Sequence, residues 1–240
     1  MVEVYCSTFF RGDVSIMKKY GLPLIILLMS ILYIFFIPSD QVAIKTLFKL
    51  IPMMLIIGYA YLHMPYSKTR IHYMMLTGLF FCMLGDGLII WWFEFGLAAF
   101  LIGHLFYMMG FFTRWKFSVI RFACIVPIAV YSFFIGKELI AALQLNGQES
   151  LIIPVLAYIT VISLMLWSAI MTGNLWAIAG SILFVISDSI LSWNMFVSDI
   201  SYSDVLIMTT YYSAQFLIAR SIAAFQGSNR YSSARHFPVN

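Results

Sequence analysis

The chain has 240 residues, of which 62% are apolar, 18% aromatic and only 10% charged. A soluble domain averages about 25% charged residues, so there is too little charge here to solvate a globular surface, and soluble-enzyme readings are excluded. A net charge of +4 would suit a nucleic-acid partner, but the places where the charges lie explain it as membrane topology instead.

Residues 1–20 carry Arg11, Asp13, Lys18 and Lys19 ahead of the first apolar run, Leu22 to Ile37. No small-residue cleavage site follows, so that run reads as a retained first span rather than a signal peptide. Beyond it, apolar runs alternate with charged breaks, and each run is near the roughly 20 residues a helix needs to cross the hydrocarbon layer. The eight predicted spans are 21–37, 42–62, 71–93, 95–113, 117–136, 151–171, 175–196 and 203–225. Very short connections, from Phe93 to Phe95 and around Gly173-Asn174, make consecutive helices antiparallel neighbours. The expected fold is all-α: a polytopic membrane protein with eight transmembrane helices over 21–225, an N-terminal segment 1–20 and a tail 226–240, both cytoplasmic.

The basic residues test that count independently. With the termini cytoplasmic, that side holds Arg11, Lys18, Lys19, Lys68, Arg70, Arg114, Lys116, Arg121, Arg220, Arg230 and Arg235, against Lys45 and Lys137 opposite. Eleven against two is a strong positive-inside bias, and a seven-span chain would destroy it. Asp40, Glu94, Glu138, Glu149, Asp199 and Asp204 fall in or beside the opposite loops. Cys6, Cys82 and Cys124 share no metal-ligand spacing and read as small packing residues. No P-loop, dinucleotide fingerprint or zinc helix occurs.

Ionisable groups inside a span are costly, about 2.5–3.5 kcal/mol each near a helix centre, so each needs a reason. Lys49, Asp86, His104 and Asp188 are such groups, and Tyr107, Ser187, Asn194, Tyr211, Tyr212 and Gln215 surround them. Counted along the predicted spans, Asp86 and Asp188 lie roughly 10–12 Å below the outer surface, with Lys49, His104 and Tyr211 at a similar level. A shared, partly hydrated cavity accounts for one depth on five helices. His104 and Tyr107, three apart, share a face, as do Tyr211 and Gln215, four apart. Gly78, Cys82, Gly85 and Gly87 allow close helix approach beside Asp86. Pro52 should kink the second span and free a carbonyl near Lys49. The stretch Gly85-Asp86-Gly87-Leu88-Ile89-Ile90-Trp91 echoes Ser187-Asp188-Ser189-Ile190-Leu191-Ser192-Trp193. Placed on spans three and seven, the echo suggests a 4+4 pseudo-repeat.

Plainer readings stand beside these. The aspartates would also suit a structural pair or a proton relay, His104 a packing role, and Lys49 either snorkelling to the interface or binding an anionic headgroup. One of Tyr211 and Tyr212 is expected simply to pack.

Lys49-x-x-Pro52, Gly85-Asp86-x-x-x-Ile90-Trp91, Gly103-His104-x-x-Tyr107, Ser187-Asp188-x-x-x-x-x-Asn194-x-Phe196 and Leu206-Ile207-Met208-x-Thr210-Tyr211-Tyr212-x-Ala214-Gln215 occur in this order. Together they resemble the lysoplasmalogenase (YhhN-like) family of eight-span membrane proteins; spans five and six match it only in hydrophobicity. The resemblance implies hydrolysis of the sn-1 vinyl-ether bond of lysoplasmalogens to a fatty aldehyde and glycerophospho-ethanolamine or glycerophosphocholine, and an endoplasmic-reticulum address. The implied partners are a lysophospholipid, water and membrane lipids, with no nucleic acid; a homodimer is compatible with such a chain.

The residues suit that substrate. Protonating the outer alkene carbon of a vinyl ether gives an oxocarbenium-like cation, water adds, and the hemiacetal collapses. One group must hold a proton and another must stabilise the cation, as two carboxyl groups do around the similar cation of glycoside hydrolysis. Asp86 and Asp188 are the candidates, without distinction as to which is the acid. His104, Tyr107, Asn194, Tyr211, Tyr212 and Gln215 are candidates to position water or the glycerol end, and Lys49 to hold the phosphate. No metal or organic cofactor is required. A lipid or proton-coupled transporter would use the same buried carboxylates. An intramembrane aspartyl protease is disfavoured, because Met83 stands where its Gly-x-Gly-Asp signature needs the first glycine.

Overall fold

The computed structural model describes residues 20–37 and 41–225. The N-terminal segment up to residue 19, the tail 226–240, and with them Cys6, Arg11, Lys18, Lys19, Arg230 and Arg235, lie outside the described residues, as does Asp40. The helices are α1 (Leu22–Phe36), α2 (Val42–Leu62), α3 (Arg70–Leu88), α4 (Phe93–Phe112), α5 (Val119–Ala123), α6 (Ile125–Leu145), α7 (Ile152–Thr172), α8 (Leu175–Phe196) and α9 (Ser203–Ala224). No strand occurs among the described residues.

Local chemistry sets the helix ends. Thr69 and His72 form a reciprocal capping box at the start of α3, the Thr69 N–H donating to His72 Nδ1 at 2.8 Å. Gly173 closes α7 in the left-handed region at φ 70°, where a side chain would be strained. The next residue, Asn174, caps α8 by accepting the Trp176 and Ala177 N–H groups at 3.0 and 3.4 Å. The short Gly173-Asn174 connection is therefore one residue of stop followed by one of start.

Among the described residues six helical units are long and apolar enough to cross a membrane: α2, α3, α4, α5 with α6, α7 with its preceding turn, and α8. The chain is an integral, multi-pass membrane protein. Aromatic and aliphatic side chains such as Phe35, Leu47, Phe133, Ile153 and Leu175 stand exposed around it, as a lipid-facing surface requires. The described part of α1 is only 15 residues long. Helix α9 is long enough at 22 residues but too polar, and its polarity is turned inward: Tyr211, Tyr212, Gln215 and Ser221 are all buried. A helix enclosed by protein tolerates groups that a lipid-facing helix would not.

Two boundaries differ from those expected. The run 117–136 predicts a helix ending before Lys137, whereas α6 continues to Leu145. Lys137, Glu138 and the following Leu and Ala residues are good helix formers, and the stop comes at Gly147, with φ 68°. The run 71–93 predicts a third span that outlasts α3, which ends at Leu88. The hairpin closes early because α4 packs directly on the turn: a Cβ on Gly96 would lie 2.5 Å from the Ile89 Cα. Asp86 consequently sits in the last turn of α3.

The tightest helix pairs are α3 with α4 and α8 with α9. A Cβ on Gly78 would come within 2.5 Å of the Tyr107 ring and 3.0 Å of the Gly103 carbonyl. On the other pair, a Cβ on Gly180 would come within 2.8 Å of Ile218 and 2.9 Å of the Ala214 carbonyl. Overpacking there should destabilise by about 1–3 kcal/mol. Gly180→Val is therefore expected to lower the unfolding midpoint of the detergent-solubilised protein, whereas Gly58→Ala, with nothing within 4 Å of the new carbon, should leave it unchanged or raise it.

Candidate active site

The polar residues of α2, α3 and α9 meet around Asp86, which is 2% exposed. Lys49 Nζ lies 3.2 Å from Asp86 Oδ1, with the two side chains 12% and 2% exposed. The Tyr211 hydroxyl donates to Asp86 Oδ2 at 2.5 Å. Both carboxylate oxygens are thus engaged, one by a cation and one by a phenol. Taking such charges out of water is costly, and only close pairing with further hydrogen bonds offsets it. The Lys49 carbonyl accepts the Tyr212 hydroxyl at 2.8 Å. Tyr212 also packs edge-on against Tyr33 of α1. The Lys49 ammonium is turned inward, toward Asp86, rather than snorkelling outward.

Asp188, on α8, has a different setting. Its Oδ2 accepts a short hydrogen bond from the Tyr158 hydroxyl of α7, and no basic group pairs with it among the described residues. It is half-buried and lines a cavity of about 80 Å³ between α4, α6, α7 and α8. The walls are mainly apolar, with Phe93, Leu97 and Phe100 from α4 and Ile135 and Leu139 from α6. Asp86 does not line that cavity. Phe100 stands at the wall and packs edge-on against Tyr211 behind it, and Gly85 makes room for the Phe100 ring, 2.7 Å from where its Cβ would be. Each aspartate has a phenol partner of its own, Tyr211 for Asp86 and Tyr158 for Asp188.

Between these settings lies a buried polar layer. The Tyr107 hydroxyl donates to Gln215 Oε1 at 2.7 Å. His104 is fully buried, its ring edge-on to Phe184, Tyr158 and Tyr107 at centroid distances of 4.5, 5.3 and 6.4 Å. Neither His104 ring nitrogen makes a well-formed hydrogen bond with a described residue, although the Phe100 carbonyl one turn earlier is near enough for a weak contact. Gln215 Nε2 is likewise without a well-formed partner among them. Buried polar atoms of this kind are usually satisfied by ordered water. Among the described residues no group of three His, Cys, Asp or Glu side chains is placed to hold a metal ion.

Asn194 is not brought to the cluster. Its Oδ1 accepts the Ile200 N–H at 2.8 Å and shapes the loop between α8 and α9. Ser187 ties the same two helices by donating to the Ile207 carbonyl at 3.0 Å. Tyr158, which sequence reasoning does not single out, is the direct partner of Asp188; it stands in an aliphatic run where only its hydroxyl sets it apart. The Lys49–Asp86 pair makes a clear expectation. Lys49→Met should destabilise by about 3–5 kcal/mol, because it strands a buried carboxylate. Adding Asp86→Asn should recover much of that loss, as thermal unfolding of the two single variants and the double variant would show.

The family model of the YhhN family matches residues 44–222, which cover α3 through α8 and nearly all of α2 and α9. The lysoplasmalogenase TMEM86B of Mus musculus is 29% identical over 220 residues, covering 90% of this chain and 91% of its own. The Homo sapiens protein of that name is 30% identical over 201 residues, covering 82% and 83%. The lysoplasmalogenase TMEM86A of Homo sapiens is 28% identical over 239 residues, covering 88% and 92%. No solved structure matches. With its matched residues forming the helices that carry both aspartates, the chain belongs to the YhhN family.

Proposed function

We propose that this chain is a membrane-embedded ether hydrolase that cleaves the sn-1 vinyl-ether bond of lysoplasmalogens to a fatty aldehyde and a glycerophospho-ethanolamine or glycerophosphocholine. The names of its relatives set the reaction class. The observation that carries the reading on this chain is the contrast between the two aspartates: one locked in an ion pair, the other at the wall of an apolar cavity with only a phenol for partner.

That contrast divides the roles. The Lys49 ammonium holds Asp86 as its carboxylate, and both of its oxygens are occupied, so Asp86 acts as a positioning residue that fixes α2, α3 and α9 and orients Tyr211. Asp188 has no counter-charge, and Tyr158 engages only one of its oxygens, which leaves the other to carry the proton. In the proposed sequence Asp188 gives that proton to the outer alkene carbon, and its new carboxylate faces the oxocarbenium ion. A water adds to the cationic carbon and returns one proton to Asp188. The hemiacetal then collapses to aldehyde and free glycerol hydroxyl, with no net change in the protein. This is the acid-then-base cycle that one carboxyl group performs in retaining glycosidases. His104, Tyr107 and Gln215, with polar atoms to spare in the adjacent layer, support a water supply.

The topology proposed with this reading is eight crossings with both termini cytoplasmic, supported by the eleven-to-two segregation of basic residues. Lys45 and Asp204, 3.5 Å apart at the starts of α2 and α9, fit one non-cytoplasmic end. A 4+4 repeat is supported by matched crossings: Gly78 and Gly180 each precede an aspartate by eight residues, and each meets a backbone carbonyl of the following helix. An endoplasmic-reticulum address and a homodimer belong to the same proposal.

The test is incubation of purified protein in detergent with a lysoplasmalogen and with its saturated ether analogue. Aldehyde is expected from the first alone, carrying one deuterium at the carbon next to the carbonyl when the solvent is D₂O. Aldehyde from neither lipid would reject the hydrolase. Asp188→Asn should abolish turnover with the fold intact, and Tyr158→Phe should lower kcat by about 10-fold or more. Unimpaired turnover in Asp188→Asn would reject the assignment.

A further inference from the structure

We infer that a single-chain lipid reaches the Asp188 cavity sideways from the bilayer, through a seam beside α6 that is latched by two hydroxyl pairs. The inference rests on the proposed function only in taking this cavity as the lipid site. Three observations carry it.

First, the cavity is narrow. Its volume of about 80 Å³ holds a few water molecules but no long alkenyl chain, so a wall must move. Second, the same side chains face both ways. Ser132 of α6 and Ser163 of α7 line the inner cavity and also a lipid-facing groove of about 730 Å³ between those helices. Tyr131 of α6 lines the inner cavity and a smaller depression at Pro127 and Leu166. The wall between the acid and the acyl chains is here one residue thick.

Third, α6 is held unevenly. Its only buried residues are Gly136, Leu139 and Leu143, all in its C-terminal half, where Leu139 and Leu143 pack with Val155 and Phe196. In its N-terminal half Val126, Val130, Tyr131, Phe133 and Phe134 are all exposed. There the side-chain hydrogen bonds to other helices are between hydroxyls: Ser132 with Ser163 at 2.7 Å, and Tyr131 donating to Ser189 at 2.8 Å. Each such neutral bond contributes only about 0.5–1.5 kcal/mol net. The short helix α5 meets α6 at Cys124, with no more than a one-residue break to separate them. An α6 anchored at its C-terminal end can therefore swing its N-terminal half outward, opening the seam directly onto Ser189, the neighbour of Asp188. The chemistry at the seam, hydroxyls set in aliphatic walls, suits an apolar tail followed by an ether oxygen and a glycerol hydroxyl.

The test locks the seam. The Ser132 and Ser163 oxygens are close enough for Ser132→Cys with Ser163→Cys to form a disulfide, verified by peptide mass spectrometry. The probe is a radiolabelled saturated-ether lysophospholipid in phosphatidylcholine vesicles containing the protein, which reports entry without chemistry. Oxidation of the double variant is expected to slow probe uptake at least 10-fold, and reduction to restore it. Equal uptake rates in the two forms would overturn the seam and favour entry from the loop end. Should the double variant not fold, Tyr131→Phe, which removes the second latch, is expected to speed uptake several-fold, and an unchanged rate would overturn the inference equally. Wild-type protein that takes up the probe but releases no aldehyde from a lysoplasmalogen would reject the hydrolase while leaving the seam standing.

Discussion

The ion pair between Lys49 and Asp86 is the constraint on which the interior depends. A carboxylate 2% exposed in a protein surrounded by hydrocarbon has no water to fall back on. Its partner must come from another helix and must arrive in register. The pair joins α2 to α3, Tyr211 brings α9 onto the same carboxylate, and Tyr212 ties α9 again to the α2 backbone. Three helices are thereby fixed in rotation and depth by one charged centre. The polarity of α9 follows from its place at that centre.

Fixing one aspartate in this way leaves the other distinct. The half of the molecule built from α4, α6, α7 and α8 surrounds Asp188 with aliphatic and aromatic walls, and Tyr158 provides its only side-chain hydrogen bond among the described residues. The side of the protein around Asp86 is cross-linked by charge and phenols, while the N-terminal half of α6 beside Asp188 is held by weak hydroxyl bonds and van der Waals packing. Rigid support beside a wall that can open is a sensible arrangement for taking a chain out of the bilayer. In the proposed reaction it also places the proton donor where the alkene must come to rest.

Much of this was legible in the residues. Lys49, Asp86, His104 and Asp188 stand out because an ionisable group in an apolar run needs a partner, and helical spacing pairs His104 with Tyr107 and Tyr211 with Gln215. What spacing cannot show is which partner each group takes. Lys49 reads equally well as a headgroup ligand, because nothing local says whether a lysine seven residues into a helix points inward or outward. Asn194 reads as a site residue from its motif, yet a carboxamide near a helix end is as readily used by a loop, and Ile200 claims it. Tyr158 is hidden because a tyrosine in an apolar run is also what the membrane interface selects. The end of α3 is hidden because hydrophobicity continues through Ile90, Trp91 and Trp92 after the helix has ended at Leu88.

The central claim is that the two aspartates differ in charge state because only one has a cation beside it. Infrared difference spectroscopy of the purified protein in the carboxylic-acid stretching region measures this directly. The account predicts a protonated-carboxyl band near neutral pH that vanishes in Asp188→Asn and persists in the Lys49→Met/Asp86→Asn double variant. A band that survives Asp188→Asn and is lost with Asp86 would contradict it.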